Sequence, residues 1–281
     1  MNNFSKHIDF EKRRMPDKSG LTVVELLVVI GIIAVVVAIS LPAFNAMQKS
    51  FDSTGAEGMI SAALSTARTL AISRQQYVGV RFQTSYDPAD VLDEEQYMIF
   101  IIYDADKTDL VCGFRAIEGY KPMKLPTNVG VIDKIRRYER IYRDCDDPFR
   151  EDSLVETDLG DSVSITDTSA FSIVFSPAGK LVINKITCRN KDGESNPSLN
   201  SDDQVFNTYE KITSNSNAAG MFIQDDYANL GLSVEMSRNK LVIYNREEFK
   251  KLTTAKQRWD YLNDNSKSVY INPYTGGIIE K

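Results

Sequence analysis

From Leu21 to Leu41 the chain is apolar at nearly every position, and Glu25 is its only charge. At about 1.5 Å per residue this stretch predicts roughly 31 Å of helix, the thickness of a hydrocarbon core. Beyond Pro42, the residues Phe44, Met47, Phe51, Met59, Ile60, Ala63, Leu64, Ala67, Leu70 and Ala71 recur mostly at three- and four-residue spacing. That period predicts an amphipathic continuation, giving a helix of roughly 55 residues in all. Pro42 removes a backbone donor and is expected to kink it.

The pattern then changes from helical to alternating. Tyr77–Phe82, Gln96–Tyr103, Leu110–Ala116, Phe171–Phe175 and Lys180–Ile186 are short, β-branched or aromatic, and bounded by turn formers. Ser176-Pro-Ala-Gly179 between the last two marks a hairpin. Lys191–Asn217, rich in Ser, Asn and Asp, predicts a flexible connection. After it come strand-like Leu232–Met236 and Leu241–Tyr244, then a capping box at Asn245–Glu248 opening a helix near Arg246–Leu262. A strand at Ser268–Asn272 and a turn at Pro273–Gly277 close the chain. The expected fold is α+β: a long N-terminal helix, transmembrane in its first half, packed on an antiparallel β-sheet domain. The expected segments are 1–20, 21–41, 42–76, 77–190, the linker 191–217 and a C-terminal β/α extension 218–281.

Charge orients the apolar stretch. Lys12, Arg13, Arg14 and Lys18 precede it, predicting a cytoplasmic N-terminus and an external C-terminal domain on a single-pass inner-membrane protein. A secretory signal peptide is an alternative, because Ala38-Ile-Ser40 is a small-x-small pattern. A plain signal anchor is another. Neither gives Glu25 a purpose.

The stretch Ser19-Gly20-Leu21-Thr22-Val23-Val24-Glu25 resembles the processing site of prepilins. The resemblance implies cleavage between Gly20 and Leu21, N-methylation of Leu21, Glu25 as the acidic assembly position and Pro42 as the kink. The implied leader is residues 1–20. Leu21 departs from the phenylalanine commoner in that family. Weaker likenesses at Ala63–Phe82, Leu125–Ile132 and Phe171–Ile183 resemble type II secretion pseudopilin H, covering roughly residues 15–190 with gaps. A freed α-amine has a pKa of about 8 and is mostly cationic at neutral pH. A carboxylate one turn along a neighbouring helix can pair with it and fix axial register.

Candidate chemistry narrows the classes further. The 281 residues contain one histidine, His7, within the expected leader. Without it, Ser-His-Asp and Cys-His catalysis and histidine metal sites are excluded, and no enzyme is expected. Cys112, Cys145 and Cys188 show no CxxC; two could pair, and burial is expected for Cys112 and Cys188. Asp133–Asp144 interleaves arginines with Tyr138 and Tyr142, which could contact nucleic acid or form a solvated helix face. Removing the five basic and three acidic residues of 1–20 takes net charge from −6 to −8, against nucleic acid as a partner. The acidic loop Asp144–Asp161 predicts solvation; it could hold calcium but lacks EF-hand spacing. No cofactor or metal is expected.

The expected function is a structural minor pseudopilin of a type II secretion system, assembling through its N-terminal helix into a short periplasmic pseudopilus. The alternatives are a type IV minor pilin and a membrane-anchored binding module such as a DNA-uptake receptor. The implied partners are the prepilin peptidase/N-methyltransferase, other pseudopilins or pilins, the inner-membrane assembly platform and secreted substrate.

Overall fold

The computed structural model describes residues 23–84, 92, 94–108, 110–137, 151–160, 162–189 and 235–280. Gly20, Leu21, Cys145, the linker 191–217 and Tyr138–Asp144 lie outside the described residues. The chain divides into two compact units, residues 1–47 and 48–281.

Helix α1 is Val23–Arg74. Its side chains are described at 23–37 and 54–74. The expected transmembrane half is corrected here. Among the described residues no helix is long and apolar enough to cross a membrane. The apolar side chains described, Val23–Val37, cover about 22 Å at 1.5 Å per residue, short of the roughly 30 Å required. The single-pass inner-membrane placement, with cytoplasmic N-terminus and external domain, rested on that span and falls with it.

In the second unit, Ala56, Ile60, Ala63, Leu64, Ala67 and Ala71 are buried along one stripe of α1. The alanines let the backbone approach a sheet closely. That sheet has eight strands: β1 (Val78–Thr84), β2 (Gln96–Tyr103), β3 (Gly113–Ala116), β4 (Met123–Lys124), β8 (Phe171–Phe175), β9 (Leu181–Val182), β10 (Lys185–Arg189) and β11 (Glu235–Met236). Their order is β11-β10-β3-β2-β1-β8-β9, with β4 also paired to β2. β1 pairs antiparallel with β2 and β8, Val80 opposite Phe100 on one side and Ile173 on the other. β3 and β10 run parallel, Cys188 opposite Phe114. The expected purely antiparallel sheet is therefore a mixed one.

Side-chain alternation gives this sheet two buried faces. Val78, Val80, Phe82, Met98, Phe100, Ile102, Phe171, Ile173 and Phe175 face α1. Ile99, Ile101, Phe114, Ala116, Val174, Ile186 and Cys188 form a second core on the other face. Curling accounts for how that face is covered. In a flat sheet β11 would lie four strands from β1, about 19 Å at 4.8 Å per strand. Instead Glu235 touches Arg81 of β1, and the Arg238 N–H donates to the Ser172 carbonyl of β8 at 2.7 Å.

A four-stranded sheet completes the main core. It orders β14 (Ile278–Glu280), β13 (Lys267–Ile271), β12 (Lys240–Asn245) and β5 (Val129–Ile132). β12 pairs with β5 in the register Ile243 to Val131. Val129, Val131, Leu241, Ile243, Val269 and Ile271 join the core under α1. A third cluster holds Leu154, Leu159, Ile165, Tyr244, Phe249 and Leu262, from β12, the loop after Ser153, helices α3 (Ser162–Ser169), α4 (Arg246–Lys250) and α5 (Ala255–Asp264) and the 3-10 turn Glu156–Gly160. α2 is a single turn, Ala105–Thr108.

Three sequence expectations need correction in this region. The helix expected near Arg246–Leu262 is two helices. Asn245 caps α4 by accepting from the Glu248 N–H, while Thr254 and Gln257 form a full capping box on α5. The acidic stretch expected to be solvated contains buried Leu154, Asp158 and Leu159. Within it, β7 (Glu151–Ser153) pairs with β6 (Ile135–Arg137), so the described part of the arginine-rich segment is strand and not helix.

Candidate functional site

The N-terminal part of α1 presents its apolar surface outward. All described side chains from Val23 to Val37 are exposed, Val23 at 79% and Leu27 at 69%. Glu25 is exposed in the first turn. An acid there also complements the positive helix end, worth about 0.3–1 kcal/mol, which is a purely local reason for its presence. Pro42 lies within the helix bounds, and its side chain is outside the described residues. The structure thus brings Glu25 and the apolar run onto one helix. Gly20 and Leu21 are not described, so the cleavage register stands on sequence alone.

A second assembly of functional groups was not singled out from sequence. Glu235 in β11 and Arg238 just beyond it carry opposite charges into two buried networks. Arg81 donates to Glu235 at 3.0 Å and to Gln83 at 2.7 Å, and Ser172 donates to Glu235 at 2.7 Å. Arg238 donates to Asp133 at 2.7 Å and forks onto Glu151 at 2.7 and 2.8 Å. Asp133 also accepts from Thr168 at 3.0 Å and from the Ile135 N–H at 2.9 Å. Burial opposes the Arg238 charge, but the Glu151 and Asp133 carboxylates outweigh it and hold the guanidinium firmly protonated. Every carboxylate here has a cationic partner, so the arrangement fastens the segment 235–238 to β1, β8, β7 and the Asp133 turn ahead of β6. The sequence signal was an acid and an arginine in an apolar, strand-like window, which alternation alone cannot distinguish from a solvated edge.

Other titratable groups have ordinary structural causes. Burial raises the Asp104 carboxyl, but the 2.6 Å bond from Arg115 and the Lys107 N–H outweigh this and leave it lowered. Burial lowers Lys134, whose ammonium donates to the Leu262 carbonyl and Asn263. Cys112 is disulfide-bonded, while Cys188 is free and buried. Among the described residues no group of His, Cys, Asp and Glu side chains is placed to hold a metal ion.

An open cleft of about 420 Å³ is lined by Tyr77, Tyr103, Phe114, Asn184 and Lys185 beside Cys112. Tyr77 and Tyr103 meet edge to face at 6.2 Å, which shapes one wall. Among the described residues no nucleophile–base pair faces this space.

No family model, curated protein or solved structure matches the chain.

Proposed function

We propose that the chain is a structural subunit that assembles through its N-terminal helix into a filament of the pseudopilin kind, and not an enzyme. The observation that carries this reading is the exposed apolar run Val23–Val37 with one acid in its first turn. A continuous apolar surface of this length is far larger than the isolated exposed side chains of an ordinary soluble surface, and it marks an interaction site. Packing such helices side by side buries the run. The resemblance of Gly20–Glu25 to a prepilin site supplies the rest: a freed Leu21 amine would meet Glu25 of a neighbouring copy. The corresponding partners are a prepilin peptidase that also methylates, other subunits of the pilin kind, their assembly platform and secreted substrate.

Two measurements test the reading. Intact mass of the protein from its native host should give a chain beginning at Leu21; a chain beginning at Leu41 would overturn it. Glu25→Val should leave that processing intact, because Gly20 and Leu21 are unchanged. The variant should lose crosslinking to other filament subunits, since one member of a buried charge pair costs about 3–5 kcal/mol to remove. Normal crosslinking by a correctly processed variant removes the pairing role.

A further inference from the structure

Three of the four strands in the smaller sheet come from residues 235–280, and only β5 comes from elsewhere in the chain. β12 lies against β5 with Ile243 opposite Val131. Leu241, Ile243, Val269 and Ile271 enter the core under α1, each 3% exposed or less. On the other face Phe249 and Leu262 pack with Leu154 and Leu159. Charges complete the contact. Glu235 meets Arg81, Arg238 meets Asp133 and Glu151, and Lys267 meets Glu57 of α1 at 2.7 Å.

None of these contacts is covalent. All three cysteines, Cys112, Cys145 and Cys188, precede residue 235, so no disulfide reaches the segment. Its covalent tie is the connection 190–234, which runs from the end of β10 to β11. Glu235 stands opposite Ile186, and Arg189 lies three residues further along β10. The two ends are therefore roughly 11 Å apart, at about 3.3 Å per residue and 4.8 Å per strand. About four extended residues would cross that gap. The chain uses 45, counted from 190 to 234, well beyond an ordinary connection. A tether of such length supplies an effective concentration of about 1 mM at most. The contacts, and not the connection, hold the segment.

We propose that residues 235–281 are a docking segment whose partner surface is the edge of β5, the edge of β10 and the sheet-facing stripe of α1. The fold withstands a cut in the connection, and a free copy of the same segment can replace the bound one. Two features make the surface selective. A slip of one residue in β12 and β13 would turn Lys240 and Ser268 inward and Leu241 and Val269 outward. The paired charges add a second filter, because a peptide without them leaves Arg81, Asp133 and Glu151 buried and unpaired. This inference is independent of how α1 assembles.

A protease recognition site inserted between Asn200 and Ser201 of the full chain tests it. The chain is cut, in mild urea where the native form resists, and returned to buffer. The two pieces should elute together on gel filtration with the circular dichroism of the uncut protein. The urea midpoint of the cut protein should rise with protein concentration, while that of the uncut protein should not, because only the cut form reassembles from two molecules. A fluorescent synthetic peptide of residues 235–281 should exchange into the cut protein. The same peptide carrying Glu235→Arg and Arg238→Glu should not. Pieces that part in native buffer overturn the proposal. Equal uptake of the charge-exchanged peptide overturns it as well, since that indicates apolar adhesion without recognition.

Discussion

Arg81 and Glu235 stand 154 positions apart in the chain, yet their side chains meet at 3.0 Å with 5% and 1% exposure. The pair joins the outermost strand of the eight-stranded sheet to its middle, across three intervening strands. It accounts for how a two-residue strand such as β11 is held: pairing two residues with β10 is weak alone, but Glu235 is anchored from the far side by Arg81 and Ser172.

Breaking this pair should destabilise the fold strongly. Glu235→Gln leaves the Arg81 guanidinium buried without its counter-charge, an effect of about 3–5 kcal/mol. Urea denaturation of the full chain followed by circular dichroism measures it. The double change Arg81→Met with Glu235→Leu should recover most of the loss, because an apolar pair of similar volume avoids the desolvation cost. A double variant as unstable as Glu235→Gln would show that the pair does more than satisfy itself.

Acid should release a different contact. The Asp104 carboxyl is lowered in the folded chain despite burial, through Arg115 and the Lys107 N–H. A depressed folded pKa gives stability that is present above the ordinary carboxylate range near 4 and lost as pH falls through the lowered value. Replacing Asp104 by Asn should therefore cost stability at pH 7 and flatten the decline between pH 4 and the acid limb. An unchanged acid limb in a pH series of thermal melts would exclude the Asp104–Arg115 pair as a contributor.

The readable parts of this chain were those whose partners are close in sequence. Phe171–Phe175 and the turn Ser176–Gly179 were legible because a two-sided apolar strand and a proline–glycine turn are local signals, and Gly179 adopts the positive φ of 70° that the turn requires. Asn245 was legible as a cap for the same reason. The second strand of that hairpin was expected to run unbroken from Lys180 to Ile186. It splits instead, and Ser237 bonds Val182 and Asn184 at the break from 53 to 55 positions away. The burial of Leu154, Asp158 and Leu159 inside an acidic stretch was illegible too. Charge content predicted solvent, while α5 and the Asp158 side chain, which accepts from the Val155 N–H, supply the actual environment. For the candidate site, the apolar run and Glu25 were plain in sequence, but the described length did not reach a membrane span. The partners of Glu235 and Arg238 lie far along the chain, and an acid and an arginine in a strand-like window do not by themselves reveal them.

Two glycines should respond in opposite directions to the same change. Gly130 lies opposite Tyr244 across β5 and β12, and a Cβ there would stand 2.3 Å from the tyrosine ring. Gly130→Ala must displace a buried ring and should cost about 1–3 kcal/mol. Gly58 sits on α1 with nothing within 4 Å of an added Cβ. Gly58→Ala should stabilise by about 0.5–1 kcal/mol, because alanine loses less backbone freedom in a helix. Thermal melts of the two variants should bracket the unmodified chain; a destabilised Gly58→Ala would indicate that this helix position needs its flexibility.

Cys188 should be chemically silent until the fold opens. Its thiol is 5% exposed in the second core, and burial is the main cause of a pKa pushed up from about 9 to about 11. Glu235 raises it further, while Arg81 and the hydrogen bonds from Ser172 and Arg81 act the other way. The reactive species is the thiolate, so a raised and buried thiol should resist alkylation twice over. At pH 8, without reductant, iodoacetamide should leave Cys188 unlabelled in the native full chain and label it after urea denaturation, read by peptide mass at that residue. The same shift fixes a stability trend. A raised folded pKa contributes stability that is complete below about 9 and is lost as pH rises through about 11. Lys134, lowered by burial, has the opposite sign and offsets part of this alkaline loss. Cys188→Ala should therefore make the alkaline decline between pH 9 and 11 shallower while costing some packing at pH 7. Rapid native labelling of Cys188 would mean that the curled sheet opens readily, and would count against the Arg81–Glu235 pair as the contact that keeps it shut.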